Sequence, residues 1–265
     1  MAGKTREIKG RIKAVANIQR ITKTMQMIAT ARFQTAFRRA TAAQPYTRKI
    51  VELVGELSSA GGSLDHPLLR PWGGQEEHGD RAQLLVITGN RGLCGGYNAG
   101  VLRTAMNFRR EHVEPAADMD VVGKKGNAYF KFNRIPVAAF RSEFTDNPTY
   151  AQVETVADQY MASFTAGNYE SVYVVYMAFH SMGRQSPEVL KLLPLEDPRQ
   201  GQTALSQAEV LYDFSPEPKQ LLDELLPLTV KTRLFQCFNE AIVSEQLARM
   251  VAMKAATEAA GKMSK

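Results

Sequence analysis

Two stretches of the chain repeat apolar or small residues at the spacing of a helix that packs against another helix. The first, Arg11 to Gln44, contains neither Gly nor Pro. Through it and the turn before it run Ile8, Ile12, Val15, Ile18, Thr22, Met25, Ala29, Phe33 and Ala36, with a mean step of 3.5 residues. That is the coiled-coil period. Arg6, Lys9, Lys13, Arg20, Lys23 and Arg38 fall on the opposite face. The stretch predicts a helix on the order of 50 Å long, and so narrow an apolar stripe needs a partner. The second stretch, Leu228 to Ala260, is also free of Gly and Pro. Its positions Leu234, Phe238, Ala241, Glu245, Ala248, Ala252, Ala255 and Ala259 alternate steps of four and three, a heptad seam whose alanines permit close approach. Together they predict an antiparallel pair made from the two termini, with a domain inserted between. Periodicity alone is equally consistent with ordinary bundle helices.

After Pro45 the helical pattern continues to about Ser59. Gly61-Gly62-Ser63 and the stretch His66–Gly79, with Pro67, Pro71, Gly73 and Gly74, then mark a linker. Beyond it the period changes. Gln83–Thr88 is a continuous apolar run, as a buried parallel strand would be. Ala99–Glu111, Lys124–Phe132 and Tyr150–Ala166 read as helices, the last opened by Asn147-Pro148-Thr149. Asp120–Gly123, Ile135–Phe140, Ser171–Phe179, Val189–Leu195 and Glu209–Phe214 read as strands. Their alternation predicts an α/β domain with a largely parallel sheet. The expected divisions are residues 1–60 for the N-terminal helix and 61–77 for the linker. The α/β domain follows over 78–212, and the C-terminal helix over 213–265.

Composition narrows the class. A hydrophobic fraction of 44% with 23% charged residues is that of a soluble globular protein, and no run of eighteen apolar residues predicts a membrane span. The start, MAGKTREIKG, has no apolar signal core, and Cys94 and Cys237 are too few for a disulfide framework. The net charge of +6 is uneven. Residues 1–60 hold twelve Lys/Arg against Glu7, Glu52 and Glu56, a balance of +9, which leaves −3 for the rest. The basic helix carries no interleaved aromatics for nucleic acid and no broad apolar face for a membrane surface. An acidic protein partner fits it best.

The sharpest local motif is Thr88–Asn98, TGNRGLCGGYN, between the first predicted strand and a helix. Glycine-rich turns in that position can cradle phosphate, but its glycines do not follow G-x-G-x-x-G, and the Lys-Ser/Thr end of a P-loop is absent. A tight turn needing positive φ is the preferred reading. Cys94 in the turn has no His near it in sequence to act as base, and the His, Cys and carboxylates show no metal-ligand spacing. No catalytic residue, cofactor or metal is expected.

Three stretches together resemble the gamma subunit of the rotary, proton-translocating ATP synthase. Ile8–Arg32 (IKGRIKAVANIQRITKTMQMIATAR) is similar to that family's N-terminal helix, TGNRGLCGGYN to the loop after the first strand of its central domain, and Ser244–Ala256 (SEQLARMVAMKAA) to the start of its C-terminal axle helix. The resemblance covers essentially the whole chain. It implies a long antiparallel coiled coil of N- and C-terminal helices with an inserted Rossmann-like α/β domain. It also implies a non-catalytic rotor shaft that couples rotation of the c-ring to conformational change at the beta subunits. The partners implied are the alpha, beta and epsilon subunits and the c-ring, with only a peripheral relation to the membrane. Arg20, Lys23, Met25 and Arg249 match the family's contact region for an acidic loop of beta, and Tyr212, Phe214 and Ser215 its foot on the c-ring. Some members carry a carboxylate at the position of Ser215. The family's C-terminal helix runs several turns beyond the position of Lys265, so a short or missing axle tip is expected here. Neither Cys94 nor Cys237 matches the regulatory cysteine pair of plastid members. The direct N-terminus suggests the cytoplasmic face of a bacterial inner membrane, with a processed mitochondrial or plastid form as the alternative. The competing readings are a nucleotide-binding α/β protein with a coiled-coil dimerisation arm, and a nucleic-acid-binding coiled coil.

Overall fold

The computed structural model describes residues 2–60, 66–69, 81–113, 117–195 and 218–264. A single helix, α1 (Ala2–Ala60), runs through Pro45 without interruption. A proline inside a helix removes one hydrogen bond and costs about 3 kcal/mol. Burial on both sides of it, at Ala40 and Ile50, holds the helix together across that point. The last helix, α5 (Pro218–Met263), likewise contains Pro227 and starts ten residues before the Gly/Pro-free stretch. The two pair antiparallel. Gln19 lies against Gly261, Thr257 donates to Thr22 at 2.8 Å, and Phe33 and Ala40 cluster with Leu247 and Val243. The stripe predicted on α1 is buried at Thr22, Ala29 and Phe33, whereas Ile8, Ile12 and Ile18 remain about half exposed. Among the described residues, no helix is long and apolar enough to cross a membrane.

The inserted α/β domain contains β1 (Ala82–Ile87), α2 (Tyr97–Phe108, ending in a π turn over Arg109–Val113), β2 (Ala117–Val122) and α3 (Lys124–Phe132). It continues with β3 (Ala139–Arg141), α4 (Tyr150–Thr165), β4 (Ser171–Ser181) and β5 (Arg184–Leu193). The sheet order is β3-β2-β1-β4-β5. The first four strands are mutually parallel and β5 is antiparallel to β4. The predicted strand Glu209–Phe214 lies outside the described residues. Every residue of β1 is buried, because both faces of the sheet are covered. Leu84, Val86, Met119 and Val121 pack with α2 and α3. Leu85, Ile87, Val172 and Val174 pack with α4, the first half of α5 and the second half of α1.

That second layer revises the reading of α5. From residue 225 to 250 no position is exposed, so this part of the helix is enclosed on all sides. The heptad positions Leu234, Phe238 and Ala241 face the core of the α/β domain, and Ala248 faces the sheet's other cluster. Different residues, Val243, Leu247, Met250 and Thr257 among them, meet α1. Beyond the α/β domain the same heptad emerges into solvent at Ala255 and Ala259.

Charged side chains fasten the layers. Lys231 of α5 bridges Glu154 and Asp158 of α4 at 2.9 and 3.0 Å. Asp120 of β2, 3% exposed, accepts from Arg141 of β3 at 2.7 Å and from the Tyr160 hydroxyl of α4 at 2.9 Å. Thr149 and Gln152 form a capping box at the start of α4.

Candidate functional site

The glycine-rich turn after β1 lies where the α/β domain meets both long helices. Its backbone is bent by positive φ at Leu93 (61°) and Gly95 (56°). Gly89 approaches α5 so closely that a Cβ there would lie 3.0 Å from the Glu245 carboxylate. A second close approach, at Gly123, sets the turn against α3. With φ of 92° at Gly123, an added Cβ would stand 2.2 Å from the Thr88 carbonyl oxygen.

These approaches determine what the turn can bind. A phosphate cradle needs free N–H groups at a helix N-terminus. The turn runs directly into α2 and also packs on the N-terminus of α3, whose first three N–H groups it takes. Lys124 N–H donates to Asn90 Oδ1 at 3.1 Å, Lys125 N–H to Gly89 O at 3.1 Å and Gly126 N–H to Thr88 Oγ1 at 2.9 Å. The N–H of Gly89 is held by Asn98 Oδ1 at 2.9 Å. An anion at the α3 N-terminus would have to displace this network. Cys94 is 2% exposed and burial pushes its thiol up, which disfavours the thiolate that nucleophilic chemistry requires. Burial does the same, more strongly, to Cys237.

What the turn holds instead is α5. Arg249 Nη2 donates to Glu245 Oε1 at 2.5 Å, and both Nε and Nη2 reach the Gly92 carbonyl at 3.4 Å. The pair is almost enclosed, with side-chain exposures of 8% and 14%. Burial raises the Glu245 carboxyl above its ordinary range, and the Arg249 charge and hydrogen bond offset only part of that. A second bridge reaches α1. Asp146, in the loop between β3 and α4, accepts from Arg32 of α1 at 2.7 Å and forms an ion pair with Arg91 of the turn at 3.2 Å. The loop itself is fixed by Asn90, which donates to Phe144 O at 3.2 Å, and by Phe144 against Phe238 of α5, with ring centroids 4.5 Å apart. Between α1, the turn and α5 lies a cleft of about 300 Å³, walled by Met25, Ile28 and Leu93 and flanked by Arg32, Arg91 and Arg249.

A family model described as ATP synthase matches residues 4–265. The chain is 40% identical to the ATP synthase gamma chain of Rhodopirellula baltica, over 98% of this chain and 88% of that one. It is 36% identical to that of Leptospira biflexa, over 98% and 89%. The chain belongs to the ATP synthase gamma family. Its fold is shared with the central stalk of the Tetrahymena thermophila mitochondrial ATP synthase, at a TM-score of 0.61 and 19% identity over 89% of this chain and 99% of that one. It is shared also with the rotor of the Euglena gracilis enzyme, at 0.62 and 17% over 99% and 94%.

The site residues expected from this gamma-family resemblance separate into two kinds. Arg20 and Lys23 are exposed on α1, and Met25 is half-buried on the wall of the cleft. Arg249 differs: it is turned inward and buried. Tyr212, Phe214 and Ser215 lie outside the described residues. Sequence reasoning missed Asp146, Arg32 and Arg91, which meet only through the fold. It noted Glu245 as a seam position without its role, although a carboxylate in an apolar seam four residues before Arg249 signals a buried pair.

Proposed function

We propose that the chain is the central rotor shaft of an ATP synthase and has no active site of its own. In this role it couples rotation of the c-ring to conformational change, and so to ATP synthesis or hydrolysis, at the beta subunits. The observation that carries the reading is the neck. Arg249, Glu245 and the Gly92 carbonyl join the α/β domain to α5, and α5 packs on α1 through Val243 and Leu247 against Phe33 and Ala40, so torque applied to the domain reaches both helices of the shaft. The expected divisions at residues 60, 77 and 212 suit this arrangement of paired helices around an inserted domain. An asymmetric shaft biases conformational equilibria because each neighbour meets a different face of it.

The partners are then the alpha and beta subunits around the paired helices, with the epsilon subunit and the c-ring at the domain. Arg20, Lys23 and Met25 present a cationic, partly apolar face to an acidic segment of beta, and Arg249 supports that face from inside by holding the turn. Tyr212, Phe214 and Ser215 are the proposed foot on the c-ring. The location is peripheral, on the cytoplasmic face of a bacterial inner membrane.

The reading is tested by mixing the chain with alpha and beta subunits and following ATP hydrolysis. Turnover by the assembled complex, with none by the chain alone, is expected. A chain that hydrolyses ATP without them would overturn the reading. Met25→Lys adds a cation beside Lys23 at the mouth of the cleft and tightens a contact that must release at every step. Fewer protons pumped per ATP, with assembly intact, is the expected outcome; an unchanged ratio would refute it.

A further inference from the structure

We propose that Asp146 is an internal competitor for Arg32 and Arg91, displaced when an acidic segment of a partner engages the neck and restored when that segment leaves. This rests on the rotor reading above and adds a release mechanism to it. One carboxylate oxygen of Asp146 sits between two guanidinium groups carried by different elements, Arg32 on α1 and Arg91 on the turn. Neither arginine is enclosed: their side chains are 42% and 62% exposed, and Asp146 is 29% exposed. Ion pairs this exposed add little to stability, so tightening the fold is a poor account of the arrangement. Each guanidinium has five N–H donors; Asp146 takes one from Arg32 at 2.7 Å and meets Arg91 as an ion pair at 3.2 Å. The remaining donors flank the cleft walled by Met25, Ile28 and Leu93, where a partner's carboxylate could take the place of the Asp146 oxygen.

Exchange of one carboxylate for another is nearly balanced, because the arginines are paired in both states. The partner gains only the difference between its own pairing and that of Asp146. Without Asp146, the two arginines would wait with two unneutralised charges, the partner would gain the full pairing, and release would slow. A contact broken and remade at every step benefits from this low net affinity.

The test uses the complex assembled with alpha and beta subunits and compares wild type with Asp146→Asn. At about 20 mM salt, where charges are weakly screened, the variant is expected to hydrolyse ATP roughly two- to five-fold more slowly; at about 300 mM the two rates should converge. Adding Arg91→Gln to Asp146→Asn removes the excess cation and should restore much of the low-salt rate. Equal rates of wild type and Asp146→Asn at both salt levels would overturn the proposal. A deficit of the same size at both levels would do so as well, since it marks a structural role for Asp146. If Asp146→Asn fails to assemble where wild type succeeds, this proposal fails and the rotor reading stands. Failure of the wild-type chain to assemble would overturn the rotor reading itself.

Discussion

Gly123→Ala is expected to prevent stable folding of the α/β domain. The added methyl group would lie 2.2 Å from the Thr88 carbonyl oxygen and 2.6 Å from its carbon, both backbone atoms. It would also have to adopt a φ of 92°, a conformation that L side chains rarely take. Relief requires β1 and β2 to separate at their C-terminal ends. There Thr88 N–H and its hydroxyl both donate to the Val122 carbonyl, at 2.9 and 2.7 Å. Backbone strain and the loss of these buried bonds together cost on the order of 4 kcal/mol, a large part of the stability of an ordinary domain. Gly10→Ala is the control, because a Cβ there meets nothing within 4 Å and α1 gains about 0.5–1 kcal/mol of helix propensity. Denaturant unfolding followed by circular dichroism distinguishes the two. A Gly123→Ala midpoint equal to that of wild type would contradict the close approach described.

The second large effect concerns the neck. Arg249→Met fills similar volume but leaves the Glu245 carboxylate enclosed without its cation, and removes the donor to the Gly92 carbonyl. Breaking a buried pair from one side costs about 3–5 kcal/mol. The effect has a pH signature. The Glu245 carboxyl is already raised above its ordinary value of 4.5, chiefly by burial. A group raised on folding contributes stability that is fully present below its unfolded value and is lost as pH rises through its folded value. Arg249 is the main influence holding that rise in check, so without it the carboxyl moves further up and the loss deepens. Arg249→Met should therefore be least destabilised below pH 4.5 and most destabilised at neutral pH and above. Adding Glu245→Gln should recover much of the loss, since removing both charges is far less harmful than removing one. Unfolding at several pH values checks this. A deficit that does not change with pH would show that Glu245 is not the group left exposed to the loss.

Much of the architecture could be read from the sequence because the two periods differ so plainly. The step of 3.5 through Thr22, Ala29 and Phe33 marks the seam of α1, and the unbroken apolar run Gln83–Ile87 marks a strand covered on both faces. The helix Lys124–Phe132 appears with the bounds predicted for it. The strand expected over Ile135–Phe140 shrinks to Ala139–Arg141, since Pro136 cannot donate to a ladder. In β5 the first half, Arg184 to Glu188, is mostly polar, exposed at Arg184 and half-buried after it, so its pattern gives no strand signal before Val189.

The less legible features all depend on what surrounds a residue. A helix enclosed on all sides, as α5 is from 225 to 250, has no single stripe to name its partner, and the clearest heptad on it faces the α/β domain. The purpose of the glycines in the turn depends on α3 and on Glu245, and Glu245 is more than 140 residues away in the chain. Asp146 carries no signal of its own. Its role follows from the meeting of Arg32, 114 residues earlier, with Arg91 at the same oxygen.

The central claim, that this chain turns as a shaft, is tested most directly by watching it turn. A visible probe fixed to the exposed Ser142 position of the α/β domain, through a Ser142→Cys substitution, reports the orientation of the chain within surface-held alpha and beta subunits. Addition of ATP should drive stepwise rotation of the probe in one direction, at a rate set by the rate of hydrolysis. Hydrolysis by the assembled complex while the probe only fluctuates about a fixed angle would contradict the account.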